Sequence, residues 1–170
     1  ALRCALAALA QPADTPVGAV LTPAFLEAMR GILRHPTLDA AFKELTLSLP
    51  SETYISEQLD VVDPQQVHAV REAMRLQLAT ALLDDWQQAF DDNANTGAYR
   101  PDPVSSGQRA LAGMALTMAC LGSSTDTWPT RAFERFKQAG NMTDRLHALG
   151  ALVACGHPLA GEALKRFHAM

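Results

Sequence analysis

The sequence is short of several features that would define its class at once. Cysteine occurs only at Cys4, Cys120 and Cys155, with no C-x-x-C pair. Three cysteines cannot close a disulfide framework, and their scarcity fits a reducing compartment better than a secreted one. A cytoplasmic location is therefore expected. Aromatic residues make up 6%, and Val, Ile and Thr never alternate over a sustained run, so strands have weak support. Charged residues make up 19% with a formal net charge of −4, which leaves no basic surface for nucleic acid or an anionic membrane. No apolar run approaches the ~20 residues of a membrane span. Arg3 interrupts the opening apolar stretch, so no signal-peptide pattern forms.

Catalytic motifs are missing as well. The five histidines are His35, His68, His147, His157 and His168. None opens an HExxH, and no two lie one helical turn apart, as zinc ligation from one helix face requires. There is no GxGxxG and no GxxxxGK[ST] to cradle a phosphate. Ser105-Ser106-Gly107 lacks the GxSxG elbow and the strand that must precede it. Cys120 and Cys155 fall on predicted apolar faces and read as buried structural thiols. His157-Pro158 reads as a helix junction in which the imidazole caps. Asp84, Asp85, Asp91 and Asp92 read as solvated or capping carboxylates. In the Asp/Asn-rich stretch 91–103 the Gly arrives only after Asn95-Thr96 and no closing Glu follows, unlike a calcium loop, so it reads as a polar connection. The residues thus yield no catalytic, cofactor-binding or metal-binding candidate.

What is present is helix. The chain has 170 residues, 48% of them hydrophobic, enough to build one core. Thr22-Pro23 and Asp63-Pro64 each pair a capping oxygen with a proline at the first helical position, where the missing N–H costs nothing. Pro129 and Pro158 can serve two later helices. Ser105 with Gln108 has capping-box spacing, and Asn141 with Asp144 stands in a similar relation. The predicted helices are 1–10, 23–34, 38–47, 51–58, 64–91, 105–121, 129–139, 142–155 and 158–170.

The longest carries Val67, Val70, Met74, Leu78, Leu82, Trp86 and Phe90 at spacings of three and four, a core-facing stripe. Glu72 and Arg75 lie on another face and are expected to be solvated. After residue 105 the apolar sets are Leu111/Met114/Met118/Leu121, Ala132/Phe133/Phe136, Leu146/Leu149/Val153 and Leu159/Ala163/Phe167. Short polar breaks separate them, which predicts antiparallel hairpins stacked side by side.

The expected fold is all-α: an irregular HEAT- or armadillo-like stack of helical hairpins, read as truncated at both ends because each end falls inside a predicted helix. Residues 1–170 form part of one helical domain, with a first helical group over about 1–92 and the start of a repeat stack over 104–170. Apolar faces left bare by such truncation are expected to seek partners, including a non-physiological dimer. These residues alone describe a helical stack without a self-contained active site. A stand-alone adaptor that binds a partner peptide is one function such a stack serves.

Several stretches, taken in order, carry a resemblance: Leu45-Thr46-Leu47-Ser48-Leu49-Pro50-Ser51-Glu52, Val61-Val62-Asp63-Pro64, Ala69-Val70-Arg71-Glu72-Ala73 running into Leu78-Ala79, Tyr99-Arg100, and Asn141-Met142-Thr143-Asp144. In order and separation the chain, from about residue 20 onward, resembles the C-terminal helical region of the bacterial aminopeptidase N group of M1-family zinc aminopeptidases. The resemblance implies a multidomain hydrolase that removes N-terminal amino acids from peptides. An upstream domain would carry the HExxH zinc site and hold the substrate's free amine. The helical region would wall and cap the active-site chamber and limit access to it. Its partners would be that upstream catalytic domain and the remaining C-terminal helices. The family's zinc ligands, general base and substrate contacts fall outside these 170 residues, so no site residue is carried over. The chain alone is expected to be inactive and to hold no cofactor, with zinc belonging to the parent.

Overall fold

Short-range capping signals set where the chain turns into helix. The structure, a computed structural model, describes residues 1–11, 17–94 and 97–169. Among the described residues there are ten helices and no strand: α1 (Leu2–Leu9), α2 (Pro23–Arg34), α3 (Ala40–Leu47), α4 (Glu52–Ser56), α5 (Pro64–Ala81), α6 (Leu83–Asn93), α7 (Pro103–Gly122), α8 (Thr127–Gln138), α9 (Met142–Ala154) and α10 (Leu159–His168). The all-α stack read from the sequence is what forms. Thr22 accepts from the Phe25 amide, Asp39 from Phe42 and Ser51 from Tyr54. Asp63 accepts from the Gln65 and Gln66 amides at 2.9 and 3.2 Å. Such a cap contributes about 1 kcal/mol by satisfying an otherwise orphaned N–H.

The helix expected from residue 105 begins earlier, at Pro103. Its cap is Asp102, which accepts from the Ser105 amide at 2.9 Å and from the Ser105 hydroxyl at 2.8 Å. Ser105 therefore lies inside α7 and does not cap it. Asp102-Pro103 is the same signal as Asp63-Pro64, hidden in the polar connection. That connection is also shorter than expected, because α6 runs on through Asn93; residues 95 and 96 within it lie outside the described part.

The single helix expected over 64–91 is two, α5 and α6, broken at Leu82 (φ −115°, ψ 28°). No proline or glycine causes the break; tertiary hydrogen bonds do. Trp86 Nε1 donates to the Leu78 carbonyl at 3.2 Å, and Arg30 Nη2 donates to the Ala81 carbonyl at 2.8 Å. The second oxygen is the one an unbroken helix would offer to the amide of Asp85. Asp84 and Asp85 then occupy the first turn of α6, where the helix dipole favours acids. The core stripe survives the break: all seven of its residues are buried.

Helix α7 is the axis of the stack and packs against α3, α5, α6 and α9. Its three glycines mark close approaches. A Cβ on Gly107 would sit 2.9 Å from the Ala41 amide nitrogen of α3, one on Gly113 would sit 2.6 Å from His147 Cγ of α9, and one on Gly122 would sit 2.5 Å from the Ala79 carbonyl oxygen of α5. Helices α8, α9 and α10 pack on one another beyond this axis. The set Leu146/Leu149/Val153 divides: Leu149 is buried, whereas Leu146 and Val153 are about half exposed, at 52% and 51%. α9 instead buries Ala148, Ala151 and Leu152 with Leu149, so Met142, Leu146 and Val153 line its outer side. Small alanines let α9 approach its neighbours closely, which turns the larger side chains outward. Among the described residues no helix is long and apolar enough to cross a membrane.

Candidate functional site

The polar side chains buried among the described residues are Asp85, Ser105, Arg109 and Asp144. Asp85 was expected in solvent and is not. It lies between α2 and α6, bonded to Arg30 Nε at 3.1 Å and to Arg34 Nε. Arg30 is also paired with Glu27, and the bonds it donates to Glu27 and then to Asp85 raise its pKa. The cluster straps α2 across the α5–α6 break. Asp84, Asp91 and Asp92 are exposed as expected. Asp91 meets Arg131 at 2.5 Å, and Asp92 accepts from Gln88 at 2.8 Å. Glu72 and Arg75, also expected in solvent, are half-buried and paired. Arg71 joins them at 3.5 Å and donates through Nε to the Pro50 carbonyl at 3.0 Å, fastening α5 to the start of α4.

A polar cleft of about 520 Å³ lies between the end of α6, residues 97–99 and the α8–α9 turn. Its wall is aromatic and cationic. Phe90 and Trp128 meet edge to face at 5.6 Å. The Arg131 guanidinium lies 4.3 Å from the Trp128 ring centre and 5.1 Å from that of Phe90, and Arg135 lies 5.5 Å from Phe90. Arg135 pairs with the buried Asp144 at 3.3 Å. Asp144 in turn accepts from Asn141 Nδ2 at 3.0 Å, while its own amide donates to Asn141 Oδ1 at 2.9 Å. Arg109 lies over Tyr99 at 4.5 Å and donates to Ser106 at 3.0 Å.

This arrangement explains Asn141-Met142-Thr143-Asp144 as a cap and the carboxylate that anchors it. Glu134 is occupied by Lys137 at 2.7 Å. Two guanidiniums and two carboxylates line the cleft, and each is paired: Arg135 with Asp144, Arg131 with Asp91 and Glu134 with Lys137. The arginines escaped the sequence reading; their i, i+4 spacing beside Trp128 and the α8 phenylalanines was the available signal.

The nucleophiles and imidazoles are dispersed. Cys120 is buried on α7, and burial, with Cys155 beside it, pushes its thiol pKa up to about 12. That is an inert thiol. Cys155 is half-buried and bonds the Leu152 carbonyl at 3.4 Å. His35 ends α2 and bonds Thr37, and His68 bonds Glu52 at 2.8 Å on the surface. His157 accepts from the Leu159 amide at 3.2 Å, the capping role its position announced, and stands 3.3 Å from Asp126. His168 is the last residue of α10, and His147 is pressed against Gly113. Among the described residues no three His, Cys, Asp or Glu side chains stand close enough to hold a metal ion. The donors present do not fit a zinc ion.

Stacked helical hairpins around a central axis, with a polar cleft whose charged side chains are each paired, define a helical-repeat scaffold of armadillo type. Residues 1–170 match the family described as "Domain of unknown function (DUF3458_C) ARM repeats", and the chain belongs to that family. It is similar to aminopeptidase N of Escherichia coli (strain K12), 30% identical over 141 residues, which covers 83% of this chain and 16% of that protein. It is also similar to aminopeptidase N of Caulobacter vibrioides, 28% identical over 144 residues, covering 85% of this chain and 17% of that protein. The chain thus spans about one-sixth of the length of these relatives. Among solved structures, a Legionella pneumophila aminopeptidase A in complex with aspartic acid superposes with a TM-score of 0.75 over 99% of this chain and 20% of that one. At 18% identity that likeness speaks to the fold alone. The aminopeptidase resemblance read from the sequence is borne out at the level of the family.

Proposed function

We propose that this chain is a non-catalytic helical portion of a zinc-dependent aminopeptidase, and that it walls and caps the chamber in which a separate catalytic domain removes N-terminal residues from peptides. The observation that carries the reading is similarity along more than four-fifths of the chain to about one-sixth of aminopeptidase N. The packed and paired side chains of the cleft and the inert Cys120 thiol support a wall rather than a reacting centre. The zinc belongs to the parent, bound by residues upstream. The partners are that catalytic domain and the remaining helices of the longer chain, in a cytoplasmic enzyme. The outward row Met142, Leu146 and Val153 supports a surface that those helices cover, or that pairs two copies of the isolated chain.

The test uses the 170-residue chain and an aminoacyl chromogenic substrate. No turnover is expected, with or without added zinc. Turnover that co-purifies with the monomer and survives chelation contradicts the reading. A native polypeptide of about 18 kDa, with no HExxH in the coding sequence upstream, would instead favour the peptide-binding adaptor.

A further inference from the structure

We propose that the crossing of α7 and α9 at Gly113 and His147 is an acid-sensitive joint of the helical stack, closed while the imidazole is neutral and loosened when it takes a proton. The proposal stands apart from the aminopeptidase reading and concerns the packing of this chain alone.

His147 of α9 is pressed onto Gly113 of α7. A Cβ on Gly113 would sit 2.6 Å from its Cγ and 2.9 Å from its Cε1, so the glycine leaves space for the ring and for nothing else. Nδ1 is buried and has no hydrogen-bond partner. The charged groups that face the ring are Asp144 of its own helix, Arg135 of α8 and Glu44 of α3, and the Arg109 carbonyl of α7 accepts from the ring and, like the two acids, favours its proton. Two of these are committed elsewhere: Arg135 and Asp144 bind each other at 3.3 Å. The Arg109 guanidinium is held by Ser106 and Tyr99.

A proton added at Nδ1 makes a donor of a buried atom that has no hydrogen-bond partner. The crossing must then open to hydrate it. Burial, the largest influence, holds the His147 pKa below its ordinary 6.5 against the attraction of Asp144. The unfolded chain takes up this proton near pH 6.5 and the closed chain only at lower pH. The contact's stability is therefore intact above 6.5 and drains away as pH falls from 6.5 toward the folded value. Most carboxylates are still ionised in that window, so the effect is separate from general acid unfolding.

The test is amide hydrogen exchange on the 170-residue chain at pH 7.5 and 5.5, corrected for the intrinsic rate, with and without His147→Gln. Amides near Gly113 and His147 are expected to exchange about fivefold faster at pH 5.5 in the parent chain and to stay nearly unchanged in the variant. NMR titration of the His147 Cε1–H in the unmodified chain needs no variant and should give a midpoint below 6.5. A midpoint at or above 6.5, or equal acid loosening with Gln at 147, overturns the proposal.

Discussion

Asp85 and His147 are both titratable groups held inside helix crossings, and the fold treats them in opposite ways. Asp85, between α2 and α6, is saturated by two guanidiniums. His147, between α7 and α9, has one ring nitrogen with no partner and a glycine in place of an acceptor. The first crossing is held by directed polar bonds between side chains 51 and 55 residues apart. The second is held by an imidazole ring pressed onto a bare glycine. Polar clasps tolerate small displacements, because long side chains can follow one another. A close-packed contact does not, since a single added methyl has nowhere to go.

That contrast predicts its largest effects on α7. Gly122→Ala would drive a methyl against the Ala79 carbonyl of α5, a backbone atom that no rotamer change can move aside. Overpacking of this kind costs about 3 kcal/mol at its upper range. Gly113→Ala should cost less, about 2 kcal/mol, because its obstacle is a side-chain ring. Gly150 and Gly161 meet nothing within 4 Å, and alanine there should stabilise by about 0.5–1 kcal/mol through helix propensity alone. Urea unfolding midpoints of the four variants should fall in that order. A Gly122→Ala chain as stable as Gly150→Ala would mean that the close approach of α5 and α7 is not real.

The clasp should break more gently. Asp85→Asn leaves Arg30 and Arg34 without their shared anion, but Arg34 is 64% exposed and can reach water. The loss expected is about 2 kcal/mol, below the range for a fully buried pair. Arg34→Ala should cost under about 1 kcal/mol, as exposed partners usually do. If the two substitutions prove equal in a thermal unfolding comparison, Asp85 owes its burial to packing and not to its cations.

The same contrast separates what the sequence disclosed from what it withheld. Caps are local, so Thr22-Pro23, Asp63-Pro64 and the Asn141–Asp144 pair announced their helices, and the seven-residue core stripe from Val67 to Phe90 was visible by period. The break at Leu82 obeys that same period and is made by Arg30 and Trp86 reaching onto carbonyls. No local pattern encodes a bond from a side chain 51 residues away. Asp85 looked like solvent for the same reason, although an acidic pair opening a helix was a legible hint of a new N-terminus. In α9 two stripes compete, one of large residues and one of alanines. The alanine stripe won because it permits closer backbones. The cleft was half legible: the cap pair Asn141 and Asp144 could be read, whereas Arg135, which neutralises it, belongs to the preceding helix.

The smallest effect tests whether acid acts at the joint or merely everywhere. Asp102 caps α7 with its side chain 35% exposed, and bonds from the Ser105 amide and then the Ser105 hydroxyl hold its carboxyl below the ordinary 3.8. A depressed carboxylate contributes stability above 3.8 and loses it as pH falls through the folded value. Asp102→Asn keeps a capping oxygen but cannot titrate. The thermal midpoints of the two chains should differ by a constant small amount from pH 7 down to about 4 and should converge below that. The window of His147 lies higher, below 6.5, where Asp102 is still fully charged. Acid loosening of α9 should therefore begin before the α7 cap begins to fail, and Asp102→Asn should leave exchange near Gly113 at pH 5.5 untouched. If that substitution alters the exchange, the two ends of α7 are coupled, and the acid response belongs to the whole helix instead of one crossing.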